Sequence, residues 1–414
     1  MKHFLLIISS LLFQLQILKS QSFPFPQNVQ YSYGYQSQKI SYLDAKYEYQ
    51  NWKERFVKPC GKNEARVIDI WDGKEVTLSE GIGYGMAIVA YMGDEDLFLK
   101  FLNYNVARRN SHGLMNWQYD ECSTGDNKKN GATDGDLDIA IGLVVATKQW
   151  PNNNRYKTEA SKLIDSIQKY YFTQCDGVII QKPGDYFGGC KCTNPSYFSP
   201  AYYRAFAKYK EAQGNIQAAQ FWQKAADDSY ITLLKNANPN TGLVYAWTNM
   251  DGGNPSECYY QVSGSGAFNT YQYDACRTPW RITMDYVWWG SSQAENWLKK
   301  ISRFVNAPLS NQMDKVGNDW YGAGGIRNVV DGYFPNGLRR IGPDQGKSGE
   351  WHSLPFVGAF ALASMATNQA NVDDCMTELV TIKGNCYFDA CTGVLYKLLA
   401  TGNFWNPYDS SLKK

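Results

Sequence analysis

Apolar positions recur at spacings of three and four over most of the chain, the period of a helix with one buried face. On this pattern helices are expected at Leu43–Phe56, Gly83–Tyr91, Leu97–Arg108, Leu137–Gln149, Tyr156–Tyr171, Pro200–Ala212 and Ile216–Asn236. Further helices are expected at Trp280–Trp289, Ser292–Ala307, Pro355–Ala366, Asp373–Thr381 and Thr392–Ala400. Strand-like runs are few and short, as at Val178–Ile180 and Leu243–Tyr245. The connections are long and rich in Gly, Asn, Asp, Trp and Tyr, and such connections build a functional face more often than they merely join helices. There is no Ser/Thr/Pro-rich linker, charge block or residue-level repeat. The expected fold is therefore all-α, one large domain over residues 22–414, with its helices closed into a barrel or toroid. A superhelix of stacked hairpins would show a repeat period.

The ends and the cysteines set a compartment. Met1-Lys2-His3, then a largely apolar Phe4–Leu18, then Lys19-Ser20-Gln21, has the layout of a secretory signal peptide spanning residues 1–21. The apolar run is too short and interrupted for a membrane anchor, and no later stretch reaches the length of a span. A secreted, extracellular monomer is expected. Ten cysteines suit an oxidising destination and allow up to five disulfides of unread pairing. Cys190-x-Cys192 lacks the partners of a zinc site, since only His112 and His352 remain in the mature chain. Neither a metal nor a cofactor is expected. A net charge of +2 gives no pull toward nucleic acid or anionic lipid.

Composition adds one anomaly. Thirty Tyr, nineteen Phe and thirteen Trp make 15% of the chain, many beside Gly, Asn and Asp. Flat rings with polar tips suit a cleft that stacks on sugar rings, although an aromatic core would give the same count.

Three acidic clusters could carry chemistry. Glu80 lies in Leu78-Ser79-Glu80-Gly81-Ile82-Gly83-Tyr84-Gly85-Met86, where a Gly-rich turn becomes a helix and Ser79 could cap it. Apolar and aromatic flanks would raise the Glu80 pKa and keep it protonated as a general acid, although a glutamate at a helix start is also an ordinary feature. Asp134, Asp136 and Asp138 alternate in Ala132-Thr133-Asp134-Gly135-Asp136-Leu137-Asp138, opening an apolar helix that Thr133 or Asp134 could cap. Asp138 reads as structural or solvated. A calcium loop would need a glutamate where Val145 stands. Tyr273-Asp274-Ala275-Cys276-Arg277 precedes another helix. An arginine three residues on could pair with Asp274 and hold it ionised as a base, or the pair could be purely structural. Asp285 is a weaker base candidate. No GxSxG elbow, HExxH or P-loop is present, which leaves carboxylate chemistry in an aromatic cleft.

These motifs, taken in order, resemble glycoside hydrolase family 8. Phe23-Pro24-Phe25-Pro26-Gln27-Asn28-Val29 is similar to the family's opening, and Ser79-Glu80-Gly81 through Met86 to its acid motif. Ala132-Thr133-Asp134-Gly135-Asp136 through Ala140 resembles its signature, and Asn194-Pro195-Ser196-Tyr197, Tyr273-Asp274-Ala275-x-Arg277 and Gly402-Asn403-Phe404-Trp405-Asn406 follow in order. The resemblance implies an (α/α)6 barrel and hydrolysis with inversion. It implies Glu80 as acid, Asp274 as base and Asp134 as the sugar-binding residue that tunes the acid. It further implies that Tyr197 places the water, Arg277 orients Asp274, Trp117 is a stacking platform and Tyr273 binds substrate. Gly142 departs from the small Ala or Ser of the signature helix, at an expected cost of roughly 0.5–1 kcal/mol. Asp251–Thr270 reads as an insertion before the base motif. The implied activity is an endo-β-1,4-glucanase acting on cellulose or mixed-linkage β-glucan. The alternatives are a xylanase or chitosanase of the same mechanism, a silent sugar-binding protein on this scaffold, or a polysaccharide lyase.

Overall fold

The computed structural model describes residues 21–125, 130–258, 269–309, 320–340 and 349–412. The expected signal peptide lies outside them except for Gln21, as does much of the expected insertion.

In chain order the helices are α1 (Tyr42–Phe56), α2 (Ser79–Met92), α3 (Glu95–Val106), α4 (Thr133–Gln149), α5 (Asn154–Tyr170) and α6 (Pro200–Ala212). They continue as α7 (Ile216–Asn236), α8 (Thr278–Trp289), α9 (Ser292–Asn306), α10 (Leu354–Ala363), α11 (Gln369–Thr381) and α12 (Tyr387–Ala400). Each of the twelve expected helices is present, several starting about one turn earlier than the apolar pattern indicates.

The even-numbered helices form an inner ring. α2 packs on α4, α4 on α6, α6 on α8, α8 on α10, α10 on α12, and α12 returns to α2. Each odd-numbered helix backs an inner neighbour: α1 on α12, α3 on α2, α5 on α4, α7 on α6, α9 on α8 and α11 on α10. This closed double ring is an (α/α)6 barrel. Side-chain chemistry follows the layer. α10 is apolar around its whole circumference and buried at all ten positions, as an inner helix must be. α9 carries one stripe, Ala294, Trp297, Leu298, Ile301, Phe304 and Val305, and turns charged residues outward.

Among the described residues, seven short strands decorate the ring. β1 (Val57–Cys60) pairs with β2 (Glu64–Val67), and β6 (Phe172–Cys175) with β7 (Val178–Gln181), both antiparallel. Between them β3 (Asp69–Trp71), β4 (Lys74–Leu78) and β5 (Gln118–Asp120) make an antiparallel sheet in that order, with Leu78 opposite Gln118. The expected strand at Leu243–Tyr245 is not formed. Its backbone serves loop contacts instead, with Ala246 N donating to Thr270 O and Tyr245 N to Asn236 Oδ1. Disulfides join Cys60 to Cys122, Cys175 to Cys190 and Cys192 to Cys258. Cys190 and Cys192 thus leave one loop in two directions. Cys276, Cys375, Cys386 and Cys391 are thiols. Among the described residues no helix is long and apolar enough to cross a membrane.

Candidate active site

The N-terminal ends of the inner helices meet at one mouth of the barrel. Glu80 and Asp134 occupy the first turns of α2 and α4, Arg277 precedes α8, and Tyr387 opens α12. Tyr197 lies in the short 3-10 turn Pro195–Tyr197 before α6, and Ser353 precedes α10. Several helix starts facing one space give it a positive bias that favours carboxylates.

Glycines let the acid-bearing helices touch. A Cβ at Gly83 would sit 2.5 Å from the Gly135 carbonyl oxygen, and one at Gly135 would sit 2.6 Å from the Ser79 carbonyl carbon. The same seam explains Gly142, where a Cβ would lie 3.0 Å from the Met86 backbone. The expected propensity cost there is the condition for close packing of α2 on α4. Neither expected cap forms. Leu78 and Ala132 stand at the N-cap positions, because Ser79 is already helical and Thr133 Oγ1 donates to Lys182 O at 2.6 Å.

Arg277 is the hub. Its Nη1 bonds Glu80 Oε2, reaches Asp134 Oδ2 at 2.7 Å and the Tyr84 hydroxyl at 3.1 Å, while its Nε lies 3.3 Å from Ser196 Oγ. The expected Arg277–Asp274 pair is absent, and the physical reason is competition. Two carboxylates at buried helix starts take the guanidinium, while Asp274, in the turn ahead of α8, faces other donors. Trp247 Nε1 donates to Asp274 Oδ2 at 3.1 Å and Gln272 Nε2 donates to the same oxygen at 3.2 Å. Tyr197 sits between the two groups. Its ring lies 5.0 Å under the Arg277 guanidinium and 6.2 Å edge-on from Trp247. Tyr273 reaches Asp331 and Ser353 at 3.4 and 3.3 Å.

Burial pushes Glu80 up from 4.5 to about 7, against the nearby Arg277 charge and the Tyr387 hydrogen bond, while the Asp134 charge adds to the rise. Glu80 is thus a carboxylic acid able to hold its proton near neutrality. Tyr387 donates its hydroxyl to Glu80 Oε1.

The other acids of these clusters are structural. Asp138 makes a two-pronged pair with Arg281, 2.6 Å on each arm, with no exposure on either side chain. Asp136 accepts from Tyr171 at 2.6 Å and the Met115 amide at 3.2 Å, and burial raises it to about 7. Asp285 is buried between Arg204 and Tyr230, at 2.9 and 2.7 Å, away from the mouth's hub. Trp117 is tied to the acid through its backbone, its carbonyl accepting from Ser79 N at 2.9 Å. Tyr387, Tyr84, Trp247 and Gln272 escaped the sequence reading. Tyr84 lies inside the Glu80 motif and Gln272 directly before the Asp274 motif, whereas Tyr387 and Trp247 sit in unremarkable aromatic contexts.

A family model described as Glycosyl hydrolases family 8 matches residues 25–321. The chain belongs to that family. Family 8 also contains close matches over nearly the whole length. The chain is 33% identical over 402 residues to "Endoglucanase 2" of Ruminiclostridium josui, covering 94% of this chain and 78% of the relative. It is 32% identical over 429 residues to "Endoglucanase C" of Ruminiclostridium cellulolyticum, covering 99% and 84%. The solved apo structure of a beta-1,3-1,4-glucanase from Paenibacillus sp. X4 superposes with a TM-score of 0.75 at 24% identity, over 93% of this chain and all of that one. The last likeness shows the shared barrel. As a family 8 member the protein is a glycoside hydrolase.

Proposed function

We propose that the protein is a secreted endo-β-1,4-glucanase that hydrolyses cellulose-like or mixed-linkage β-glucan with inversion, its residues 22–414 acting as one catalytic domain. The names of the relatives supply the substrate class, and the site supplies the chemistry. The observation that carries the mechanism is the buried Glu80, raised to about 7 and held by Arg277 and Tyr387. An acid of that strength is still protonated in mildly acidic to neutral water and can give its proton as the bond breaks.

In this reading Glu80 transfers its proton to the glycosidic oxygen as the C1–O bond breaks. A water on the opposite face attacks C1 and passes a proton to Asp274, so the anomeric configuration inverts. Trp247 and Gln272 fix the Asp274 carboxylate toward that water, and Tyr197 lies where it can help place it. Asp134 accepts a sugar hydroxyl and keeps the Glu80 proton in place, and Arg277 serves that acid pair. Trp117 and Tyr273 line the path of the chain. Secretion fits the three disulfides.

The test is purified protein on soluble β-glucan, xylan and chitosan, with Glu80→Gln and Asp274→Asn beside wild type. Cleavage of β-glucan that both variants lose supports the reading. Cleavage of xylan or chitosan alone changes the substrate, and near-wild-type turnover by Glu80→Gln overturns the acid.

A further inference from the structure

The small sheet that leads into Glu80 carries an aromatic residue with no evident structural task. Trp71 closes β3, opposite Lys74, and is 39% exposed. The core under the sheet is filled by other residues, Val67, Val76 and Tyr119 among them. Yet the Trp71 ring is not loose. Its Nε1 donates to Asp69 Oδ2 at 2.5 Å, and Asp69 is itself fixed by accepting from the Ile70 amide at 2.8 Å. That bond folds the indole back along the hairpin, and its ring centre comes to lie 6.2 Å from that of Trp117 at an angle of 45°. Trp117 in turn is held to the residue before Glu80 through the Ser79 amide.

A ring that is oriented by a hydrogen bond but left in water is organised for a ligand, since little freedom remains to be lost on binding. A pyranose offers a flat face of C–H groups and a rim of hydroxyls. It therefore suits an indole bordered by a carboxylate, here that of Asp69. The tilt also fits a chain. Successive units of a β-1,4-glucan turn relative to one another, so two platforms that follow them are not coplanar.

We propose that Trp71 extends the cleft, holding one glucosyl unit beyond the unit at Trp117, so that it selects for longer chains. The proposal rests on the β-glucanase reading of the site. Trp71 acts by binding alone and touches no reacting atom.

The experiment measures calorimetric Kd for a ladder of cello-oligosaccharides on Glu80→Gln and Glu80→Gln/Trp71→Ala, together with kcat/KM for the same ladder on wild type, Trp71→Ala and Trp71→Phe. Removing the ring is expected to weaken the longest ligands about tenfold and to lower the ratio of kcat/KM between long and short substrates by a similar factor. Trp71→Phe keeps a ring and should recover most of both, and circular dichroism checks that each variant folds. Loss equal at every chain length, or no loss at all, overturns the platform. If wild type cleaves no β-glucan but cello-oligosaccharide binding still depends on Trp71, the glucanase reading fails and the platform stands. Cleavage of β-glucan with no dependence on Trp71 sinks the platform alone.

Discussion

α4 and α8 face each other with two matched rungs. Asp134 and Asp138 are four residues apart on one helix, Arg277 and Arg281 four apart at and beyond the start of the other, and each acid meets its arginine. The rungs use the same residue types at the same spacing and do different work. In the inner rung, Asp138 and Arg281 close on each other with two short bonds and no exposure. In the outer rung, Arg277 gives Asp134 one bond and divides the same nitrogen among Glu80, Tyr84 and Asp134. One step along the barrel axis converts a self-contained ion pair into a charge shared between two carboxylates. A buried pair satisfied on both sides fixes helix register, whereas at the outer rung burial raises the Glu80 pKa against the shared Arg277 charge, with the Asp134 charge adding to the rise.

The largest expected effect lies at the outer rung. Glu80→Gln should lower kcat on β-glucan by about 10³-fold while cello-oligosaccharide binding by calorimetry stays measurable. Arg277→Lys should also be severely impaired, because one ammonium cannot make the contacts of Nη1 to Glu80, Asp134 and Tyr84 together with the separate contact of Nε to Ser196. The inner rung should behave in the opposite way. Asp138→Asn leaves a buried guanidinium without its charge partner and should cost about 3–5 kcal/mol in chemical denaturation. If Asp138→Asn proves as stable as wild type, the structural assignment of that rung is wrong.

Titration sharpens the contrast. Glu80 rises from 4.5 to about 7 on folding, so between these values the native state holds a proton that the unfolded chain has released. That contribution to stability is complete below about 4.5 and is lost as pH rises to about 7. Asp136, raised from 3.8 to about 7, acts in the same sense. Melting temperature should therefore fall as pH climbs through this window, and Glu80→Gln should flatten the slope in part. The alkaline limb of kcat/KM should lie near the same value of about 7. Tyr387→Phe removes a hydrogen bond that lowers the Glu80 pKa, so its alkaline limb should move to higher pH. An unmoved limb would make Tyr387 a packing residue. The smallest expected effect is Gly142→Ala, which should lose stability in thermal melts despite better helix propensity, since its Cβ would press on the Met86 backbone.

The ring of helices was legible because burial imposes a period, and α6 and α7 begin and end where the pattern places them. The early starts of α2 and α4 were not, because their first turns carry the polar and glycine residues of the site rather than an apolar stripe. The three acids assigned by resemblance come to one mouth, Glu80 and Asp134 sharing Arg277. The partner of Arg277 was misjudged because nearness in sequence said nothing of the deficit of positive charge between α2 and α4. Tyr387 lies 307 residues from Glu80 and became visible only when α12 closed the ring against α2.

The most direct measurement of the central claim is the anomeric configuration of the first product, followed by proton NMR as purified enzyme cuts soluble β-glucan. Glu80 as acid and Asp274 as base for an attacking water predict that the new reducing end appears as the α-anomer and only then mutarotates. Initial accumulation of the β-anomer would mean retention through a covalent intermediate, and the roles assigned to both carboxylates would fall together.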